Sequence, residues 1–260
     1  MRRCFIFGLG YSAGRIAAAL EARRWEVIST GRAGTLSFDD TANVRLALTG
    51  ADAVLSSVPP SADGDPVLAT YGADIAAHKV VYLSSTGVYG DTGGAWVDET
   101  APTGTGRRTA RAEADASWLE RGARVLRLPG IYGPGRSALD RVREGKAHRI
   151  DLPAQVFSRV HVDDIVSGAV AAFDAPAGAY NLADDEPTSQ NAVIEEACRL
   201  LGLEPPPLQS LDAAGLSPMA RGFYAENRRV ANGKARRVLG WKPRFPNYRE
   251  GLRAILAGEG

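Results

Sequence analysis

The chain has 260 residues, room for one large domain or a domain with a small second lobe, since domains run to roughly 100–200 residues each. Hydrophobic residues make up 45% and charged residues 23%, so a full core can form without metal or disulfide staples. Lys and Arg total 31 against 30 Asp and Glu, a formal net charge of +1, which argues against nucleic acid or an anionic membrane surface as a partner.

Cys4-Phe5-Ile6-Phe7 is wholly apolar and stops at glycine, the pattern of a strand buried on both faces in a parallel sheet. Residues 14–24 follow as a helix, with Ile16, Ala17, Ala19 and Leu20 inward and arginines outside. A second strand spans Trp25–Thr30, and a short third spans Thr35–Phe38, ending at Asp39-Asp40. Residues 42–49 are helical. Ala53–Val58 is a fourth strand, stopped by Pro59-Pro60. Residues 66–78 read as a helix opened by proline, which fits a first turn. Val80–Ser85 and Arg124–Leu128 are the fifth and sixth strands, separated by a helix over 109–121. Strands alternating with helices at this spacing predict an α/β fold, a doubly wound parallel sheet of the Rossmann type.

The second half is less regular. It offers helices over 162–173, 188–201, 232–239 and 248–256, a strand at Ala179–Leu182, a rigid Glu204–Pro207 link, and a mixed stretch over 216–229. The expected division is a nucleotide-binding domain over 1–175, with its last strand at 179–182. A small C-terminal substrate lobe follows over 176–260, with residues 133–158 contributing.

Gly8-Leu9-Gly10-Tyr11-Ser12-Ala13-Gly14 joins the first strand to the first helix. One glycine permits the tight turn, the next lets backbone approach a pyrophosphate, and a small residue lets helix and strand pack closely. The third small position is either Ala13, or Gly14 with one extra residue in the turn. The phosphate then meets the helix N-terminus, where free N–H groups and the dipole favour an anion. A carboxylate closing the second strand would select NAD; this strand closes Ser29-Thr30-Gly31-Arg32. Arg32 suits a 2′-phosphate, so NADP(H) is expected over NAD. Asp39-Asp40 either reaches the adenine or caps the next helix. Ser56, Ser57 and Val58, at the carboxyl end of their strand, either face the cofactor or serve as buried packing.

Several stretches occur in a telling order: Gly8-Leu9-Gly10, Ser84-Ser85-Thr86-Gly87-Val88-Tyr89-Gly90-Asp91, Leu128-Pro129-Gly130-Ile131-Tyr132-Gly133-Pro134-Gly135, Arg159-Val160-His161-Val162-Asp163-Asp164-Ile165, Tyr180-Asn181-Leu182 and Leu239-Gly240-Trp241-Lys242-Pro243. Together they resemble the atypical and extended short-chain dehydrogenases/reductases, the NAD(P)-dependent epimerase/dehydratase superfamily, across nearly the whole chain. The resemblance implies a catalytic hydroxyl at Ser85, with Thr86 beside it. It places Pro129, Gly130 and Ile131 against the nicotinamide and makes His161–Asp164 mainly structural. It also implies a small hydroxyl- or carbonyl-bearing substrate, such as a nucleotide sugar, and a homodimer, as relatives often form.

The departure is as informative. The family's acid/base Tyr-x-x-x-Lys pair falls in Thr103–Glu113, a stretch with neither tyrosine nor lysine. Aligning Glu113 with the glutamate usual there puts Thr105 and Thr109 at the pair's positions, and threonine is a poor proton donor at neutral pH. Arg107, Arg108 or Arg111 either supplies the missing charge or is solvated. Tyr89 is the candidate replacement acid, against a structural role. Two readings follow: an NADP(H)-dependent oxidoreductase or epimerase/dehydratase, or a non-catalytic NADP(H)-binding sensor.

The remaining reactive side chains point elsewhere. Cys4 and Cys198 offer no disulfide framework and suit a reducing cytoplasm. His78, His148 and His161 have no ligand cluster beside them, so no metal is expected. Trp96 either stacks on a ligand or seals the cleft; Arg136 and Arg159 pair with an acidic substrate or with ordinary carboxylates. No apolar run reaches the ~20 residues of a membrane span.

Overall fold

In the computed structural model, which describes residues 1–107 and 109–258, the short apolar runs become the strands of one parallel sheet. In chain order the first half comprises β1 (Arg3–Phe7), α1 (Tyr11–Glu21), β2 (Glu26–Ser29), α2 (Thr41–Thr49), β3 (Ala53–Ser56), α3 (Pro66–Tyr71), β4 (Lys79–Ser85), β5 (Trp96–Val97), α4 (Thr109–Glu120) and β6 (Arg124–Leu128). The second half comprises β7 (Gly130–Tyr132), α5 (Ala138–Arg143), β8 (Arg149–Ile150), β9 (Arg159–His161), α6 (Val162–Ala172), β10 (Gly178–Asn181), α7 (Gln190–Leu201), β11 (Leu208–Gln209), α8 (Pro218–Phe223), β12 (Arg229–Val230), α9 (Gly233–Leu239) and α10 (Tyr248–Gly258).

Six strands form the sheet in the order β10-β6-β4-β3-β1-β2, and every neighbouring pair is parallel. Side chains alternate across a strand. Cys4 and Ile6 of β1 therefore join Ile16, Leu20, Ile165 and Phe173 beneath α1 and α6. Phe5 and Phe7 join Val44, Leu48, Val67, Tyr71 and Trp118 beneath α2, α3 and α4. Each fully buried Leu, Ile, Val or Phe is worth about 1.5–3 kcal/mol, so both faces of the sheet are firmly covered. From β1 the chain crosses to β2 on one side, and from β3 it continues to β4 on the other. The divergence leaves a crevice at the carboxyl ends of β1 and β3, where ligands bind in such sheets.

A second core forms where α5, α7 and α10 meet around Leu139, Val193, Ala197, Leu252 and Ile255. Three two-stranded parallel ribbons, β7 with β9, β8 with β11 and β5 with β12, stitch the irregular segments to the rest.

Three expectations need correction. Residues 35–38 form no strand. Leu36 makes one isolated bridge to Thr30, and Leu36 and Phe38 instead pack onto the core beneath α2, so their side chains are buried without a ladder. The first helix begins at Tyr11, not at residue 14. The helix opened by Pro66 ends at Tyr71, not at residue 78, with Gly72 as its C-cap donating its amide to the Leu68 carbonyl at 3.1 Å. No helix among the described residues is long and apolar enough to cross a membrane, and none of their His, Cys, Asp and Glu side chains group into a metal site.

Candidate functional site

At Gly8 the chain turns with φ +82°, and a Cβ there would meet Val58 Cγ2 at 3.0 Å and Ser57 Oγ at 3.2 Å. Glycine is required on both counts. The Leu9 amide donates to the Thr30 carbonyl at 2.9 Å, and the Ser57 hydroxyl donates to the Gly8 carbonyl. Gly10 precedes α1 in an extended conformation with nothing within 4 Å of its Cβ position. Ala13 is fully buried, whereas a Cβ at Gly14 would also meet open space. The close-packed third position is therefore Ala13. The turn fits a diphosphate: open space at Gly10, the amides of an eleven-residue helix, and no acidic side chain in its first turn. Tyr11 is braced there, its hydroxyl donating to the Pro134 carbonyl at 3.1 Å and its ring lying between the guanidinium groups of Arg15 and Arg136.

β2 closes at Ser29 with no carboxylate beyond it, and Arg32 is exposed with no ion pair among the described residues. Asp40 caps α2, its carboxylate accepting from the Asn43 amide. Ser56 is fully buried and off the cavity wall, while Ser57 lies on it; Val58 packs against the core.

A cavity of about 750 Å³ runs from Gly10, Tyr11, Ser12 and Ala13 past Ser57 to Ser84–Gly87 and Pro129–Ile131. The strand carrying Ser85 ends in a single 3-10 turn, in which Ser85 Oγ accepts from the Gly87 amide at 3.1 Å. Its own proton remains free for a ligand oxygen. Tyr89 is not on this wall. It is 1% exposed, donates to Asn181 Oδ1 at 2.8 Å and accepts from Arg127 Nη1 at 3.0 Å. Burial pushes its phenol above the ordinary tyrosine value, although Arg127 opposes the shift. The hydroxyl of Thr105 is also spent, on the Tyr89 carbonyl at 3.0 Å, and Thr109 is exposed. Arg107 and Arg111 do line the cavity; Arg111 donates to the Tyr82 hydroxyl at 2.8 Å. Arg108 lies outside the described residues.

The far wall is built from Phe157, Arg159, Tyr224, Glu226 and Arg228, with His148 beside them. The Phe157 and Tyr224 rings meet edge to face at 5.5 Å. Glu226 is 9% exposed and bridges Arg228 at 2.9 Å and Arg107 at 3.5 Å. Sequence reasoning missed Phe157, Tyr224, Glu226 and Arg228, because they sit on irregular loops without periodicity; the charged run Glu226-Asn227-Arg228-Arg229 was the one available signal.

No protein-family model matches the chain. Over 99% of its length it superposes on a functionally unknown conserved protein from Silicibacter pomeroyi, covering 99% of that chain with 40% identity and a TM-score of 0.88. It is 29% identical over 290 aligned positions to the Escherichia coli protein YeeZ, spanning 95% of this chain and 97% of that one. It is 37% identical over 171 residues, 60% of its length, to a Streptomyces 3-diazoavenalumate denitrifying reductase, of which the match spans 55%. A dTDP-glucose 4,6-dehydratase from Bacillus anthracis in complex with NAD superposes with a TM-score of 0.77 at 15% identity, covering 99% of this chain and 96% of that one. A human epimerase family protein with NADPH gives 0.77 at 16%, covering 98% and 99%. The chain has the fold of these NAD(P)-dependent dehydratase and epimerase structures.

Other marked residues hold structure. His161 caps α6, its Nδ1 accepting from the Asp163 amide at 3.2 Å, and burial pulls its pKa down to about 4. Trp96 is 59% exposed and off the cavity wall. Cys198 is buried in α7; Cys4 is buried in β1, and burial raises its thiol to about 12. Neither is a reactive thiolate at neutral pH.

Proposed function

We propose that the protein is an NADP(H)-dependent oxidoreductase acting on a small hydroxyl- or carbonyl-bearing molecule. The observation that carries this reading is the single cavity joining the Gly8–Ala13 turn to Ser85, Thr86 and Pro129–Ile131. The dehydratase and the human epimerase family protein of the same fold are complexes with NAD and NADPH, and the Streptomyces relative is named a reductase. When bound, the nicotinamide supplies or accepts a hydride. The residues of this chain do the rest. The α1 amides and Ser57 seat the diphosphate, and Arg32 takes the 2′-phosphate. Pro129, Gly130 and Ile131 form the wall beside the nicotinamide. The Ser85 hydroxyl donates a hydrogen bond to the substrate oxygen, holding it for transfer. Tyr89 and Thr105 are engaged elsewhere, so neither takes the usual acid's place. The proton that completes a reduction therefore enters from solvent through the cavity mouth.

Titration followed by NADPH fluorescence tests the cofactor; absence of binding at millimolar NADPH refutes the reading. The missing acid favours a second reading, a sensor that binds NADPH without turning over. A holo structure with no hydroxyl within about 3–4 Å of nicotinamide C4 would decide for it.

A further inference from the structure

The substrate end of the cavity is unbalanced in charge. Arg107, Arg111, Arg141, Arg159 and Arg228 line it, with Glu226 the lone carboxylate among the described lining residues. Glu226 is already shared between Arg107 and Arg228. Arg159 is 6% exposed, and its guanidinium donates only to neutral acceptors: the Phe157, Thr188 and Ser189 carbonyls and Gln190 Oε1. Asp184 acts on it from beyond ion-pair distance, but burial pushes that carboxyl up to about 8. No carboxylate among the described residues stands within ion-pair distance of Arg159. Burial lowers Arg159 only to about 10, so it stays a cation. A buried cation in contact with neutral acceptors alone is costly, and a cavity that presents one is prepared for an anion.

The place of this cation matters. Arg159 is the β-ladder partner of Gly130, and a Cβ on Gly130 would lie 3.8 Å from Arg159 Cγ. The charge therefore stands on the same wall as Pro129–Ile131 and shares the cavity with Ser85. The same lining also offers apolar and aromatic surface, from Phe157 and Tyr224 to Leu216 and Ala220.

We propose that the substrate is a small organic anion with an aromatic or apolar body, its carboxylate or phosphate received by Arg159 and Arg228 while its reacting oxygen meets Ser85. The proposal deepens the oxidoreductase reading and rests on it for the reacting oxygen, but not for the anion site. In binding, the anion competes with Glu226 for the Arg228 guanidinium, a fork suited to two-oxygen recognition.

Calorimetric titration of the full chain, with and without saturating NADP+, tests this with three probes: phenylpyruvate, its methyl ester and phenyl phosphate. At least one anion is expected to bind about tenfold or more tightly than the ester, and which of the two wins assigns carboxylate or phosphate. Arg228→Gln and Arg159→Gln are each expected to weaken the preferred anion about tenfold, the loss typical of a charge-assisted hydrogen bond, while leaving the ester unchanged. Should Arg159→Gln not fold, Arg228→Gln, whose side chain is 17% exposed, carries the test alone. Equal binding of acid and ester, no binding of either anion, or unchanged anion affinity in the folded variants would overturn the proposal. If NADP+ fails to bind while the anion does, the cofactor reading falls and the anion site stands.

Discussion

Arg127 and Asp115 form an ion pair sealed inside the protein, Nη2 to Oδ1 at 2.6 Å, with side chains 4% and 1% exposed. The pair joins the strand and the helix that flank the Ser85 turn. Asp115 also accepts from Ser84 Oγ at 2.6 Å, and Arg127 donates to Tyr89, which donates to Asn181. Burial works against the charge on Arg127, but its hydrogen bonds to Asp115 outweigh that and raise its pKa above the ordinary arginine value. Breaking one half leaves an uncompensated buried charge. Arg127→Met is expected to cost about 3–5 kcal/mol in urea unfolding, and Arg127→Met with Asp115→Leu much less. Additive losses in the double variant would show that the pair is not the unit of stability.

The phosphate turn separates stability from binding at two neighbouring glycines. At Gly8 a side chain meets both a positive φ and the Val58 methyl, so Gly8→Ala is expected to lower stability by about 1–3 kcal/mol. At Gly10 a Cβ meets nothing in the protein and projects into the cavity. Gly10→Val is expected to leave the urea midpoint nearly unchanged while abolishing NADPH binding. If Gly10→Val binds cofactor normally, the diphosphate does not lie at this turn.

What could be read from the chain follows from where periodicity exists. The strands of the sheet centre on apolar runs, such as residues 4–7, 53–55 and 80–83, and these stand out. Residues 35–38, Thr35-Leu36-Ser37-Phe38, alternate polar and apolar instead, yet Leu36 and Phe38 found their burial beneath α2 without a ladder. Local pattern alone does not decide whether such a stretch finds a ladder. The Gly8–Ala13 turn was legible because spacing there is dictated by close approach. Choosing between Ala13 and Gly14 was not, since it depends on which Cβ points inward. The far wall was illegible because Phe157, Glu226 and Arg228 lie on loops that tertiary packing alone brings together. Tyr89 stood beside the reactive turn in sequence, but its ring turns inward to Arg127.

Arg32 offers the test of cofactor choice. It is exposed and without an ion pair among the described residues, so its removal leaves no partner stranded. Arg32→Ala is expected to weaken NADPH about tenfold or more, the loss of one charge-assisted contact, and to leave NADH nearly unchanged. Equal losses for both cofactors would remove the case for 2′-phosphate recognition.

Asp184 sets a pH dependence with a definite sign. Burial moves its carboxyl from 3.8 up to about 8. Between those values the folded protein keeps a proton that the unfolded chain has released. Stability therefore falls as the pH rises through about 4 to 8 and levels off above. Asp184→Asn removes this slope and is expected to be more stable than the parent at pH 8 by on the order of 1–3 kcal/mol, the gain fading toward pH 4. His161, lowered by burial to about 4, weakens the fold as the pH drops below about 6.5, but equally in both proteins, so the difference between them isolates Asp184. Urea midpoints at pH 5 and pH 8 check this; a gain that does not grow with pH would show that the buried carboxyl is ionised throughout.

Ser85 and Tyr89 are four residues apart and are expected to fail in opposite ways. Ser85 faces the cavity with a proton to donate, and its oxygen accepts only the Gly87 amide. Ser85→Ala should therefore keep the fold and NADPH affinity and lower any measured kcat by about 10²-fold or more, as for other residues that hold a reacting oxygen. Tyr89 is bound on both sides of its hydroxyl within the buried network. Tyr89→Phe should keep turnover and lose about 1–3 kcal/mol of stability, because Arg127 and Asn181 each lose a buried partner. Turnover that survives Ser85→Ala and collapses in Tyr89→Phe would invert the assignment and require the network to open during the reaction.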